Sequence, residues 1–302
     1  MSELIIGERR IADDEPCYVI AEIGNNHGGS RDVAIQMIQM AAAHGADCVK
    51  FQKRHNPTLY SPQLLAAPYA NEHSYGPTYG DHRAALEFGQ RDYHAIRVAA
   101  ERWQVGWCAT AFDEASVDFL MLAGSPAIKI ASGGLTDHAL LRYAASMGRP
   151  ILLSTGGGTL ADIHRAVDSL AGCPHAILHC TASYPLKVEE ANLRVILTLR
   201  RTFPNTVIGW SSHSPGIALS LVAYALGARI IEHHVTLDRA SKGTDQAFSL
   251  EPKGLGTLVD DLGKVRQALG DGVKVFYDSE RGPIAKMRRV RVEQGWQITG
   301  AL

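Results

Sequence analysis

Short apolar runs alternate with amphipathic stretches along almost the whole chain. The runs fall at 17–23, 48–52, 105–112, 127–132, 150–155, 175–181, 206–211 and 229–236. They are rich in Val, Ile and Cys and bounded by Gly, Pro, Asn or Asp, the pattern of strands buried on both faces. Between them apolar positions recur with a period near 3.6. In 159–172, Leu160, Ile163, Val167 and Leu170 make one stripe, Thr159 with Asp162 makes a capping-box start, and Gly172 a stop. The same pattern predicts helices at 32–44, 88–103, 114–123, 137–147, 189–203, 216–227 and 254–269. Eight strands, each followed by a helix, within about 255 residues predict an α/β fold, a (β/α)8 TIM barrel. An open doubly wound sheet is the alternative, but regular units with no glycine-rich dinucleotide loop favour closure.

Two pieces fall outside the repeat. Residues 1–16, with Ile5-Ile6-Gly7 and Arg10-Ile11-Ala12, predict an N-terminal β-hairpin lying across one end of the barrel domain, which runs over 17–270. Residues 271–302 form a short C-terminal extension with a basic stretch (Lys286, Arg288, Arg289, Arg291) that reads as a solvated tail rather than a nucleic-acid surface. The segment 53–87 is longer than the connections in such folds usually are, and long loops are more often functional or mobile than accidental.

Composition removes several classes of function. Lys+Arg 30 against Asp+Glu 31 leaves a formal net charge of −1, so no global field steers the chain onto nucleic acid or anionic membrane. Hydrophobic residues at 46% and charged residues at 20% are ordinary globular usage and argue against disorder. The apolar runs fall far short of the roughly 18 residues a membrane span needs. The Met1-Ser2-Glu3 start lacks a basic region and a long apolar region, so it does not read as a secretory signal. Five cysteines without a CxxC pair, most of them in apolar runs, suit a reducing compartment. The expectation is a cytoplasmic protein with no nucleic-acid and no membrane partner.

In a barrel of this kind the active site lies where strands end and βα-loops begin. The residues there are Glu22 (with Asn26 and His27 just after), Lys50 and Gln52, Thr110, Lys129 and Ser132. Ser154 and Thr155 follow, then Thr181 and Tyr184, Ser211 and His213, and Glu232 and His234. Polar residues ending apolar strands need a reason, because burying them unpaired costs about 1–3 kcal/mol each. Two lysines and several hydroxyls converging on one mouth suit a phosphorylated or otherwise anionic small molecule. The plainer alternative is that Lys50 and Lys129 pair with Glu22 and Glu232. His213 and His234 end consecutive strands, so their rings can meet over the barrel axis, and two imidazoles with a carboxylate and waters suit a divalent metal. A structural role for each is the alternative. His233 points to the other face by strand alternation.

Several segments resemble the sialic acid synthase (N-acetylneuraminate synthase) family. They begin with Ala21-Glu22-Ile23-Gly24-Asn25-Asn26-His27-Gly28-Gly29, Val49-Lys50-Phe51-Gln52 and Lys129-Ile130-Ala131-Ser132. Leu153-Ser154-Thr155-Gly156, His179-Cys180-Thr181, Tyr184-Pro185 and Gly209-Trp210-Ser211-Ser212-His213 continue the resemblance. So do Ile231-Glu232-His233-His234-Val235-Thr236-Leu237-Asp238 and Gly243-Thr244-Asp245 through Phe248-Ser249-Leu250-Glu251-Pro252. The matches run in order over about residues 17–290.

The resemblance implies a (β/α)8 barrel that condenses phosphoenolpyruvate with an aldehyde sugar, uses Mn2+ or Mg2+, and works as a homodimer. It assigns Lys50, Thr110, Lys129, Ser132, Ser154 and Ser211 to phosphoenolpyruvate, and His213 and His234 to the metal. Glu22, Gln52, Tyr184 and Asp245 match positions near the acceptor and the reacting carbons. Alternatives are another metal-dependent aldolase or isomerase on the same barrel, or a binding barrel without catalysis. The chain departs from the family pattern at Gly134, where members making N-acetylneuraminate carry a glutamate, at Ala182 in place of an asparagine, and at Ser212 in place of an aspartate. The sequence stops soon after Met287-Arg288-Arg289, where the family pattern leads into a C-terminal antifreeze-like domain that lends an arginine to the partner's sugar site. The expectation is therefore that 53–87 covers the mouth, with Tyr69, Tyr75, Tyr79, His73 and His82 available and Arg83 supplying the missing charge. A mere packing excursion is the alternative for that segment.

Overall fold

The computed structural model describes residues 2–298, and the chain divides after Arg266 into two compact units. In the first, a short hairpin of β1 (Glu3–Ile6) and β2 (Arg9–Ala12) turns at Gly7, whose φ of +59° favours glycine. Eight parallel strands follow: β3 (Tyr18–Gly24), β4 (Cys48–Lys53), β5 (Gly106–Ala111), β6 (Ile128–Ile130), β7 (Ile151–Ser154), β8 (His175–Cys180), β9 (Val207–Ser212) and β10 (Ile230–His234). Strand β10 pairs with β3, Ile230 opposite Tyr18 and His234 opposite Glu22, so the sheet closes and the open-sheet alternative is excluded.

Strand alternation sorts the side chains. Val19, Ala21, Ile23, Val49, Phe51, Ile128, Ile130 and Trp210 face outward and form the core beneath the ring of helices. Inward, the lower positions are apolar: Ile20, Cys48, Cys108, Leu152, Leu178 and Ile230. Two residues further along the same strands stand Glu22, Lys50, Thr110, Ser154, Cys180 and Glu232. The interior is therefore oily at the N-terminal end and polar at the C-terminal end. Leu4, Ile6 and Ile11 of the hairpin join the oily layer and plug it, while Asp13 holds Arg200 and Arg229, each at 2.9 Å. Ile11→Ala is expected to cost about 2–5 kcal/mol of stability. A urea midpoint equal to wild type would show that the plug is not part of the core.

Most predicted helices form within two residues of their expected ends, and 114–123 coincides with Glu114–Ala123. Two expectations change. The helix read at 189–203 begins only at Val195 (Val195–Thr202), because Asn192 takes a left-handed φ of +38°; residues 188–190 make a single 3-10 turn. The segment 53–87 is not an open loop but holds three short helices, Asn56–Leu59, Pro62–Ala66 and Tyr79–Leu86.

The second unit contains helix Arg281–Met287 and an antiparallel hairpin of β11 (Arg289–Val292) and β12 (Gly295–Ile298). Its basic residues are exposed, with Arg288 over Phe276 and Arg291 over Trp296. All five cysteines are free thiols. Among the described residues no helix is long and apolar enough to cross a membrane.

Candidate active site

The polar ends of the strands open into one cavity of about 470 Å³, a size suited to small-molecule ligands. The residues assigned to substrate, metal or acceptor line it: Glu22, Lys50, Gln52, Arg83, Thr110, Lys129, Ser132, Ser154, Tyr184, Ser211, His213, His234 and Asp245, whereas Asn26, His27, Thr155 and Thr181 do not.

The floor is a buried charge lattice. Lys50 Nζ lies 2.8 Å from Glu22 and 3.7 Å from Glu232, and donates to Thr110 Oγ1 at 2.9 Å. Lys129 Nζ donates to Ser154 Oγ at 2.7 Å and lies 3.7 Å from Glu232, which also accepts from Ser211 Oγ at 3.0 Å. The lysine–carboxylate pairing read as the plainer alternative is thus present, two cations against two anions, and the hydroxyls read as anion donors are present with it. The pairing is uneven. Lys50 has Glu22 to itself, and its ammonium is held above the ordinary lysine range, where burial is outweighed by Glu22 and Glu232. Lys129 has only a share of Glu232. Burial, reinforced by repulsion from Lys50, pulls its ammonium below the ordinary range. Burial works to raise the Glu232 carboxyl, but Lys129 and Lys50 together bring it down to about 2. Lys129 is accordingly the cation with most to gain from an incoming anion.

Above the floor, Gln52 Nε2 donates to Glu22 Oε1 at 2.9 Å, while Arg54 Nη2 (2.6 Å) and Asn25 Nδ2 (3.4 Å) donate to Gln52 Oε1. Glu22 is thereby fixed from both sides. Across the mouth, His213 stacks against Tyr184 at 4.0 Å between centroids, and His213 and His234 stand 5.5 Å apart with Phe248 against both. Burial, with His234 beside it, lowers the His213 imidazole to about 4. The neutral ring turns Nδ1 to the Thr181 carbonyl at 3.0 Å, which leaves Nε2 as a lone-pair donor. His234 Nδ1 is buried with no hydrogen-bond partner, 3.8 Å from Asp245 Oδ2. The neutral His213 ring and the His234 ring with its buried, unpartnered Nδ1 fit a borderline divalent cation. Among the described residues no three His, Cys, Asp or Glu side chains gather as a ligand set, so water or substrate oxygens would complete the shell.

Some strand-end residues serve the scaffold instead. Asn26 donates to the Val235 carbonyl and to Ser249 Oγ, tying the end of β3 to the 235–251 connection. Thr155 and Thr181 donate to the backbone carbonyls of Leu178 and Glu190. His233 is buried behind the barrel wall, as alternation requires. His27 is stacked on Phe88 at 4.0 Å, its Nδ1 accepts from Gly29 N–H, and burial lowers it to about 4. The unfolded chain binds this proton below about pH 6.5 and the folded one only near 4. Stability should therefore fall as pH drops between those values, by at most about 3 kcal/mol from this residue. Urea unfolding at stepped pH checks this, and a His27→Gln profile as steep as wild type would refute it.

Sequence reasoning missed Asn25, Arg54, Phe112 and Thr244, which also line the cavity. Arg54 was within reach: it continues the alternation Lys50, Gln52, Arg54 one step beyond β4. A β-carbon at Gly134 would meet Ile130 and Leu140 of the outer core. The cavity wall there is Ala131, Ser132 and Gly133, with Ala182 nearby, and carries no carboxylate.

Comparison with known proteins places these features in context. The NeuB family model matches residues 37–274. The chain is 38% identical to N-acetylneuraminate-9-phosphate synthase of Homo sapiens, covering 96% of this chain and 83% of that protein. It is 35% identical to N,N'-diacetyllegionaminic acid synthase of Campylobacter jejuni, covering 90% and 83% respectively. The crystal structure of the N-acetylneuraminic acid synthetase of Leptospira borgpetersenii, in complex with citrate, superposes with a TM-score of 0.80 at 33% identity, covering 94% of this chain and 95% of that one.

Proposed function

The chain belongs to the NeuB family, and on that footing we propose that it condenses phosphoenolpyruvate with an aldose, forming a 2-keto-3-deoxy sugar acid of the sialic-acid type and releasing phosphate. The carrying observation is that one cavity holds both the two-lysine floor and the imidazole pair of His213 and His234. On this reading Lys50, Lys129 and the hydroxyls of Thr110, Ser132, Ser154 and Ser211 bind the phosphate and carboxylate of phosphoenolpyruvate. His213 and His234 would hold Mn2+ or Mg2+, which when bound supplies Lewis-acid polarisation of the aldehyde oxygen.

The chemistry asks three things of the side chains. The floor orients the methylene carbon of phosphoenolpyruvate toward the aldehyde carbon, and a carbon–carbon bond forms between them while the aldehyde oxygen takes up a proton. Water then adds to the former enol carbon, with Glu22, fixed by Lys50 and Gln52, as the group that positions it and accepts its proton. The resulting tetrahedral centre expels phosphate, and the keto group remains. Tyr184 and Asp245 flank the acceptor, Arg83 closes over it, and the working unit is a homodimer.

Phosphate release from phosphoenolpyruvate across a panel of aldoses, with and without manganese, tests the assignment. Aldose-dependent release supports it. Aldose turnover without consumption of phosphoenolpyruvate would instead make the protein an aldolase or isomerase, and binding without turnover a ligand-binding barrel.

A further inference from the structure

Asp245, the acid that faces His234 at 3.8 Å, is carried by the connection 235–251, which is held unequally along its length. Its inner part is fastened to the barrel. Leu250 N–H donates to the His234 carbonyl at 2.8 Å, Ser249 Oγ to the Asp245 carbonyl at 2.6 Å, and Gln246 Nε2 to the Asn26 carbonyl at 3.1 Å. The outer part, 237–244, is almost wholly exposed. Among the described residues a single hydrogen bond reaches that part from outside the connection: Tyr75 Oη donates to the Lys242 carbonyl at 2.7 Å. Lys242 Nζ also stands 4.9 Å over the Tyr75 ring.

Tyr75 belongs to 53–87, a different βα connection, and its seat is shaped for it. A β-carbon at Gly28, in the turn after β3, would stand 3.0 Å from Tyr75 Oη, so glycine there lets the phenol in. Tyr75 N–H donates to His82 Nδ1 at 3.2 Å, which ties it to the helix Tyr79–Leu86. Burial pushes the phenol above its ordinary range, so it stays a protonated donor. Between the two connections lies a cavity of about 40 Å³, lined by Tyr75 and Arg83 on one side and by Gly243, Thr244 and Asp245 on the other. It has room for a few waters and not for a sugar. Arg83, Thr244 and Asp245 also line the main cavity.

We propose that Tyr75 is a positioning residue for the acceptor: by tying 53–87 to 237–244 it fixes Thr244 and Asp245 at the edge of the cavity where the aldose binds. The inference rests on the condensing reading for the identity of that ligand. Only Gly243 and Thr244 separate the tethered carbonyl from Asp245, so this one bond sets where the carboxylate is presented. An exposed stretch without it would have to be ordered by the incoming sugar, at a cost in affinity. The lysine floor shares no hydrogen bond with this tether.

Tyr75→Phe removes the hydroxyl and keeps the ring. The KM for the aldose that best supports phosphate release is expected to rise about 3- to 10-fold, the loss of one hydrogen bond. The rise should exceed any change in kcat, and the KM for phosphoenolpyruvate should stay at the wild-type value. Amide hydrogen exchange over 239–245, followed by mass spectrometry, should quicken several-fold in the same variant. Tyr60→Phe is the control for general loosening, since Tyr60 packs on Tyr79 in the same segment and has no contact with 237–244. An unchanged aldose KM overturns the proposal, as does an equal rise for both substrates, an equal rise in Tyr60→Phe, or unchanged exchange over 239–245. Quickened exchange in a protein whose wild type releases no phosphate with any aldose keeps the tether and loses the condensing reading.

Discussion

Lys129→Ala is expected to weaken phosphoenolpyruvate binding by about 2–5 kcal/mol, roughly 30- to 4000-fold. The size follows from the unevenness of the floor. Lys129 shares Glu232 with Lys50 at 3.7 Å each, whereas Lys50 also has Glu22 at 2.8 Å. Removing Lys129 takes away the cation least neutralised by the protein and leaves Glu232 buried beside the vacated space, where it repels an incoming anion. Calorimetric titration with phosphoenolpyruvate measures the loss, and circular dichroism controls for folding. Wild-type affinity in Lys129→Ala would remove the anion-floor assignment. Lys50→Ala is a poorer test, because it strands Glu22 and disturbs the Gln52 network at the same time.

His213→Ala and His234→Ala are each expected to abolish metal-dependent turnover, a loss on the order of 10³-fold or more if several kcal/mol of barrier lowering goes with the cation. Both proteins should remain folded. His213 Nδ1 meets the Thr181 carbonyl at 3.0 Å and, more distantly, Cys180 Sγ at 3.9 Å, and His234 Nδ1 has no hydrogen-bond partner. Manganese bound per chain, measured by elemental analysis after dialysis, should fall in both variants. Unchanged manganese in both would make these two rings packing groups for Tyr184 and Phe248.

The architecture was legible because a parallel barrel writes itself in two periods at once. Apolar runs such as 150–155 and capped stripes such as 159–172 repeat with the same order throughout, and closure brings their ends together. The floor of the candidate site was legible for the same reason: Glu22, Lys50, Thr110, Lys129, Ser154 and Glu232 each stand two positions beyond an inward apolar residue, as Lys50 does beyond Cys48 and Glu232 beyond Ile230. What escaped depends on contacts distant in sequence or on single backbone angles. The left-handed turn at Asn192 that delays a helix is invisible to periodicity. The short helices within 53–87 gain support from packing such as Tyr60 and Tyr69 on Tyr79, which no local window records. Asn26 and His27 sit at the right place in the sequence for chemistry, yet their side chains are spent on Val235, Ser249, Gly29 and Phe88. Arg54 was overlooked for a different reason, since it follows the last residue of its strand while keeping the strand's inward phase.

The hairpin plug at the oily end has a kinetic consequence. With Leu4, Ile6 and Ile11 sealing that end, the cavity among the described residues opens at the strand C-termini, and a ligand on its floor enters first and leaves last. If the lysine floor takes phosphoenolpyruvate and the mouth around Tyr184 and Asp245 takes the acceptor, the two cannot arrive in either sequence. The deeper ligand must be seated before the outer one shuts the way, and an acceptor loaded prematurely would obstruct its own co-substrate. The steady state would then be ordered, with substrate inhibition by the aldose at high concentration and competition by it against phosphoenolpyruvate. A hairpin far from any reacting atom would in this way set the traffic through the enzyme.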